Sequence, residues 1–198
     1  MQGYVQRDMG NSHVVNQPQR YALCPPASGP HYQAPLGPIT PRVYGPDDSV
    51  EPMNWVHNLE HGGLVVLYKC QGDACDDTGQ DRLRQFFNTF PNSPICNTAP
   101  GLDGPVIARF EDMASPYAAL LWGRVLPLQT FDQAQILEFF RTTGDRTGIE
   151  RRCDPNASPS PSPGASPSPS GSPSASPSGS PSVSPSPVAS PSPSASPS

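Results

Sequence analysis

The array of proline and serine that ends this chain limits its fold more than any other feature. From Ala157 to Ser198 every residue except Val183 and Val188 is Ser, Pro, Ala or Gly, with no charged, aromatic or histidine side chain. Proline removes backbone donors and blocks helix, and serine offers no apolar surface to bury. The expected state is a solvated, polyproline-II-biased chain that would span about 130 Å if extended. It would serve as a spacer, as a stalk carrying glycan on its hydroxyls, or simply as an unmodified disordered tail. The sequon-like Asn156-Ala157-Ser158 stands where it begins. All 12 basic and 17 acidic side chains therefore lie in the first 156 residues. The division expected is one domain over 1–153 and a disordered Ser/Pro-rich tail over 154–198.

Three classes drop out. No run approaches the roughly 18 apolar residues of a membrane span. A pI of 5.2 gives no basic face for nucleic acid. The length leaves no room for a large multidomain enzyme. The first fifteen residues, MQGYVQRDMGNSHVV, are polar and lack the pattern of an export signal. Five cysteines in so short a domain nevertheless favour an extracytoplasmic location, secreted or in the cell envelope. A cytosolic protein with inert buried thiols is the alternative.

Residues 1 to about 55 are punctuated by Pro25-Pro26, Gly29-Pro30, Gly37-Pro38, Pro41 and Gly45-Pro46. They predict a long ordered coil with a short strand near Gln19–Leu23. Leu64–Tyr68 reads as a buried strand. Leu83, Phe86, Phe87 and Phe90 recur at helical spacing over Gln80–Phe90, with Thr78 or Asp81 as caps. Pro105–Phe110 and Tyr117–Leu128 read as two more strands, the latter bulged at Gly123. Thr130-Phe131-Asp132 opens a last helix with Ile136, Leu137, Phe139 and Phe140 as its buried stripe, ended by Gly144. The expected fold is α+β, a small sheet with two helices packed on it.

The chemistry lies in four histidines: His13, His31, His57 and His61. On a strand His57 and His61 would stand about 13 Å apart. On a helical turn they are neighbours at about 6 Å, so a shared ion requires a turn or short helix over Asn54–His61, with Gly62-Gly63 redirecting the chain. His31, on its Gly-Pro loop, is the expected third ligand and His13 a fourth. Glu60 is expected to orient a ligand imidazole from outside the coordination sphere or to cap the turn. The metal-free alternative is a set of hydrogen-bonded structural histidines. His57-Asn58-Leu59-Glu60-His61 also matches the His-x-x-Glu-His pattern of inverted zinc metallopeptidases. That site needs a long helix, which Gly62-Gly63 cuts short, and a downstream acidic motif that Glu111, Glu138 and Glu150 do not form.

Pro25-Pro26-Ala27-Ser28-Gly29-Pro30-His31 and Val56-His57-Asn58-Leu59-Glu60-His61-Gly62-Gly63 resemble the PPTSGPH and VHNLEHGG motifs of the bacterial domain of unknown function 3105 family. Leu121-Trp122-Gly123-Arg124, Phe131-Asp132 and His13-Val14 are similar to its later and earlier segments, with Ala27 in place of the usual threonine. The resemblance spans about residues 10 to 145 and implies an exported or membrane-tethered protein without an assigned reaction. All four histidines fall on its motif positions.

An all-imidazole set suits one Cu or Zn ion and argues against calcium or magnesium. Met9 and Met53, near His13 and His57 in sequence, tilt the choice slightly to copper. Cys70 and Cys75 can close a small disulfide ring, leaving one further bridge and one free thiol among Cys24, Cys96 and Cys153. Asp73, Asp76 and Asp77 lack the spacing of a calcium loop and read as a solvated acidic stretch. Trp55 and Trp122 read as core or site-wall aromatics. The function expected is extracytoplasmic metal binding of unassigned biological role. The rivals are a metal-free interaction module and, further off, a metal-dependent hydrolase or oxidase.

Overall fold

A computed structural model describes residues 3–101, 104–150 and 153, all within the first of the chain's two units, Met1–Pro159. The Ser/Pro tail and Asn156 lie outside the described residues. Before the first helix come three two-residue strands, β1 (Tyr4–Val5), β2 (His13–Val14) and β3 (His31–Tyr32). There follow α1 (Pro52–Glu60), β4 (Val65–Tyr68), α2 (Asp77–Asn88), β5 (Val106–Arg109), β6 (Tyr117–Leu121), β7 (Arg124–Leu128) and α3 (Gln133–Thr143). Among the described residues β1, β7, β6, β4 and β5 form one mixed sheet in that order, and β2 pairs with β3 in a second. The β4–β5 pair is parallel, with Val65 opposite Val106; the other pairs of the large sheet are antiparallel.

The fold is α+β, as the patterning implies, but a third helix joins the two expected. The period of two along each strand sorts side chains to opposite faces. Val66, Ile107 and Leu121 meet Leu83 and Phe86 of α2 and Ile136, Phe139 and Phe140 of α3. Val65, Leu67 and Leu120 meet Trp55, Val56 and Leu59 of α1 on the other side. Both faces are therefore covered, which is why β4 and β6 are buried at every position.

Several local expectations change. Tyr117–Leu128 is a hairpin rather than one bulged strand: Leu121 pairs with Arg124 across the Trp122-Gly123 turn. Gln19–Leu23 contains no strand; the short strands form instead at His13–Val14 and His31–Tyr32. Asp76, rather than Thr78 or Asp81, caps α2 by accepting the Gly79 N–H at 2.9 Å. Asp132 caps α3 through the Gln135 N–H at 3.0 Å. Disulfides join Cys70 to Cys75 and Cys96 to Cys153, leaving Cys24 as the free thiol. No described helix is long and apolar enough to cross a membrane.

Phe139 is fully buried between α3 and the sheet. Phe139→Ala should cost about 3–5 kcal/mol in urea unfolding; a loss under about 1 kcal/mol would contradict this packing.

Candidate metal centre

Helix α1 starts where Pro52 occupies a first-turn position that needs no N–H, and the Asn54 Oδ1 accepts the Glu51 N–H at 2.9 Å. It stops where Gly62 takes φ +87°, a left-handed conformation that glycine adopts without a Cβ penalty. Gly62 N–H then donates to the Leu59 carbonyl at 3.0 Å and Gly63 N–H to that of Asn58 at 2.8 Å, closing the C-terminus. Trp55, Val56 and Leu59 anchor the helix to the sheet. His57, Glu60 and His61, at i, i+3 and i+4, share another side of it.

Over that side lies the coil. Its 25–31 loop is fastened by specific bonds. The Gln6 side chain donates to the Pro25 carbonyl at 2.9 Å and accepts the Ala27 N–H at 2.8 Å. Ser28 Oγ accepts the Met9 N–H at 3.0 Å, and the Gly123 N–H reaches the Ala27 carbonyl at 2.8 Å. The Tyr21 hydroxyl donates to the Pro30 carbonyl. Parallel pairing of β2 with β3 sets His13 opposite His31, so the two imidazoles project side by side. Asn58, buried in α1, completes the clamp by bonding both backbone groups of Ile39, at 3.0 and 2.8 Å.

The result is convergence. Ring centroids stand 4.6 Å apart for His13 and His31, 4.9 Å for His13 and His57, and 4.8 Å for His31 and His57. One ligand atom from each of His13, His31, His57 and Glu60 lies within 4.8 Å of all the others. His57 Nδ1 is 2.6 Å from the Tyr32 carbonyl and His31 Nδ1 is 2.9 Å from that of Gly29. A carbonyl only accepts, so each Nδ1 carries the proton, and each Nε2 is left as the nitrogen that can ligate. Histidine ligands to metals are held in this way. His31 Nε2 then lies 3.0 Å from Glu60 Oε2, and His13 Nε2 lies 3.3 Å from the same oxygen. Two donors bonded to one ion at about 2.0–2.1 Å stand roughly 2.8–3.0 Å apart at octahedral angles and about 3.3–3.4 Å apart at tetrahedral ones. The group can hold a metal ion.

His31 and Glu60 are 0% and 1% exposed, whereas the His13 side chain is 39% exposed and forms the solvent side of the group. Asn11 Nδ2 donates to the other Glu60 oxygen at 3.3 Å. Trp122 stands edge-on to His31 at 6.3 Å and walls the site, while Trp55 belongs to the core against Phe110.

Glu60, assigned to orient a ligand, brings its carboxylate into the donor group itself. His61, assigned as a ligand, stacks on His57 with centroids 4.9 Å apart and planes 17° apart, and its Nδ1 lies 3.3 Å from Glu150 Oε2. The i, i+3 spacing from His57 was the available signal for Glu60. The Met53 sulfur accepts the Gln19 N–H at 3.0 Å and is thereby occupied. Asn11 and Gly37 carried no signal, because they contribute through long-range contacts. A Cβ on Gly37 would come within 3.0 Å of His57 Nδ1 and 2.8 Å of the Tyr32 carbonyl, so glycine is what lets that hydrogen bond form.

Burial is the main influence that pushes His57 below its ordinary 6.5, helped by the neighbouring imidazoles and opposed by the Tyr32 bond. A lowered pKa means that the unfolded chain binds more protons, so stability rises with pH. This contribution is complete above about pH 6.5 and is lost as pH falls below it. The metal-free protein should therefore melt at lower temperature at pH 5.5 than at 7.5, and His57→Asn should flatten part of that slope. An unchanged slope would contradict a buried neutral His57.

A family model described as "Protein of unknown function (DUF3105)" matches residues 13–157, a span that contains His13, His31, His57 and Glu60. No curated protein matches the chain. No solved structure matches it. With well over half its length covered in order, the chain belongs to the DUF3105 family.

Proposed function

We propose that this domain is an extracytoplasmic metal-binding protein holding one transition-metal ion, copper or zinc, between His13, His31, His57 and Glu60. The observation that carries the reading is a knot of acceptors. The His31 and His57 Nδ1 atoms are committed to backbone carbonyls, so their Nε2 atoms and the Glu60 carboxylate share one buried space, His31 Nε2 standing 3.0 Å from Glu60 Oε2. Acceptors packed so closely repel unless a cation or shared protons stand between them, and burial raises the cost of leaving them unpaired.

Three imidazoles and one carboxylate suit Zn(II) or Cu(II) and are too rich in nitrogen for calcium or magnesium. With the Met53 sulfur already engaged, the choice between the two rests on the nitrogen and oxygen donors. His61 would act by supporting the His57 ring. Two disulfides are compatible with an oxidising compartment. The Ser/Pro tail would serve there as a spacer.

Elemental analysis of protein purified without a histidine tag tests the reading. Wild type should carry about one zinc or copper ion per chain after reloading and washing. His57→Ala and Glu60→Gln should lose it, His13→Ala should bind more weakly, and His61→Ala should still load. A wild-type stoichiometry well below one, or loading unchanged in His57→Ala, would reject it.

A further inference from the structure

The segment that follows α3 is built into the back of the candidate centre. Glu150 N–H donates to the Glu60 carbonyl at 3.0 Å. That carbonyl ends α1 and has no partner within the helix, so the bond ties down the turn that carries the Glu60 carboxylate. Glu150 Oε2 lies 3.3 Å from His61 Nδ1, and His61 in turn stacks on His57. Gly148 lies so close to Gly62 that a Cβ would meet the Gly62 nitrogen at 2.7 Å. At its start the strap is held by Asp145, whose Oδ2 accepts the Ile95 and Cys96 N–H groups at 2.7 and 3.0 Å. Beyond it Cys153 is bonded to the same Cys96, closing a loop with a sequence separation of 57.

We infer that the Cys96–Cys153 disulfide is a redox clasp on the metal centre. Closed, it holds the 145–150 strap against the end of α1 and fixes Glu60 among the donors. Opened, it lets the strap lift, and the ion is held less tightly and leaves faster. This inference rests on the metal reading and adds a control to it.

The opening step is thiol–disulfide exchange with a dithiol reductant. A reductant thiolate attacks one sulfur of the pair and forms a mixed disulfide. Its second thiol then displaces that sulfur. Two electrons and two protons pass to the protein, Cys96 and Cys153 become thiols, and the reductant becomes a disulfide. The other bridge, Cys70–Cys75, lies just ahead of α2, with Cys75 packed against the core on the opposite side of the sheet from α1. Its loss should not reach the centre.

The test titrates zinc into the full chain against a chromophoric chelator, using wild type, Cys96→Ser/Cys153→Ser and Cys70→Ser/Cys75→Ser. Loss of groups that support metal ligands typically costs 10–100-fold in affinity, so the Cys96/Cys153 pair should bind zinc at least about tenfold more weakly. The Cys70/Cys75 pair should match wild type. Equal affinity in all three proteins, with the missing bonds confirmed by mass, would overturn the clasp. If the Cys96/Cys153 variant fails to fold by circular dichroism, Gly148→Ala decides the matter, since it lifts the strap with the disulfide intact. It should show the same weakening, and wild-type affinity in it would overturn the clasp. A wild-type protein that takes up no zinc and no copper would reject the metal reading itself.

Discussion

A carboxylate at 1% exposure is costly to bury without a cation or a shared proton beside it, and that cost is concentrated at Glu60. One oxygen faces two imidazoles and the other receives the Asn11 amide. The backbone carbonyl of the same residue is bonded by Glu150. The N-terminal coil, helix α1 and the segment after α3 thus meet at a single residue.

The sheet makes this economical. Helix α1 is fixed by Trp55, Val56 and Leu59 against one face, and α2 and α3 fill the other, so His57 and Glu60 stand on a rigid element. His13 and His31 arrive on segments with almost no regular structure, stiffened by prolines and by side-chain bonds from Gln6, Ser28 and Tyr21. A site built partly on a packed helix and partly on a bonded coil combines buried donor groups with one exposed imidazole, that of His13.

The main elements were legible because their signals are local. The LVVLY run, the aromatic stripes of α2 and α3 and the Gly62-Gly63 break each state their structure within a dozen residues. The third helix was visible only as a geometric requirement of His57 and His61, since its nine residues make a shorter stripe than those of α2 and α3. The hairpin at Trp122-Gly123 was hidden because both its strands are apolar and run together in sequence. At the site, the histidines announced themselves by rarity and motif. The exchange of emphasis between Glu60 and His61 did not, because it depends on which of two neighbouring side chains the coil covers. Asn11, Gly37 and the pairing of Cys96 with Cys153 depend on contacts between distant parts of the chain, to which local pattern is blind.

X-ray absorption at the metal edge addresses the central convergence most directly. In zinc-loaded protein the fine structure should show four or more nitrogen and oxygen neighbours at about 2.0–2.1 Å, no sulfur, and the outer-shell scattering of three imidazoles. A spectrum of bound water alone, a sulfur shell, or scattering from a single imidazole would show that the three rings and the carboxylate do not share an ion.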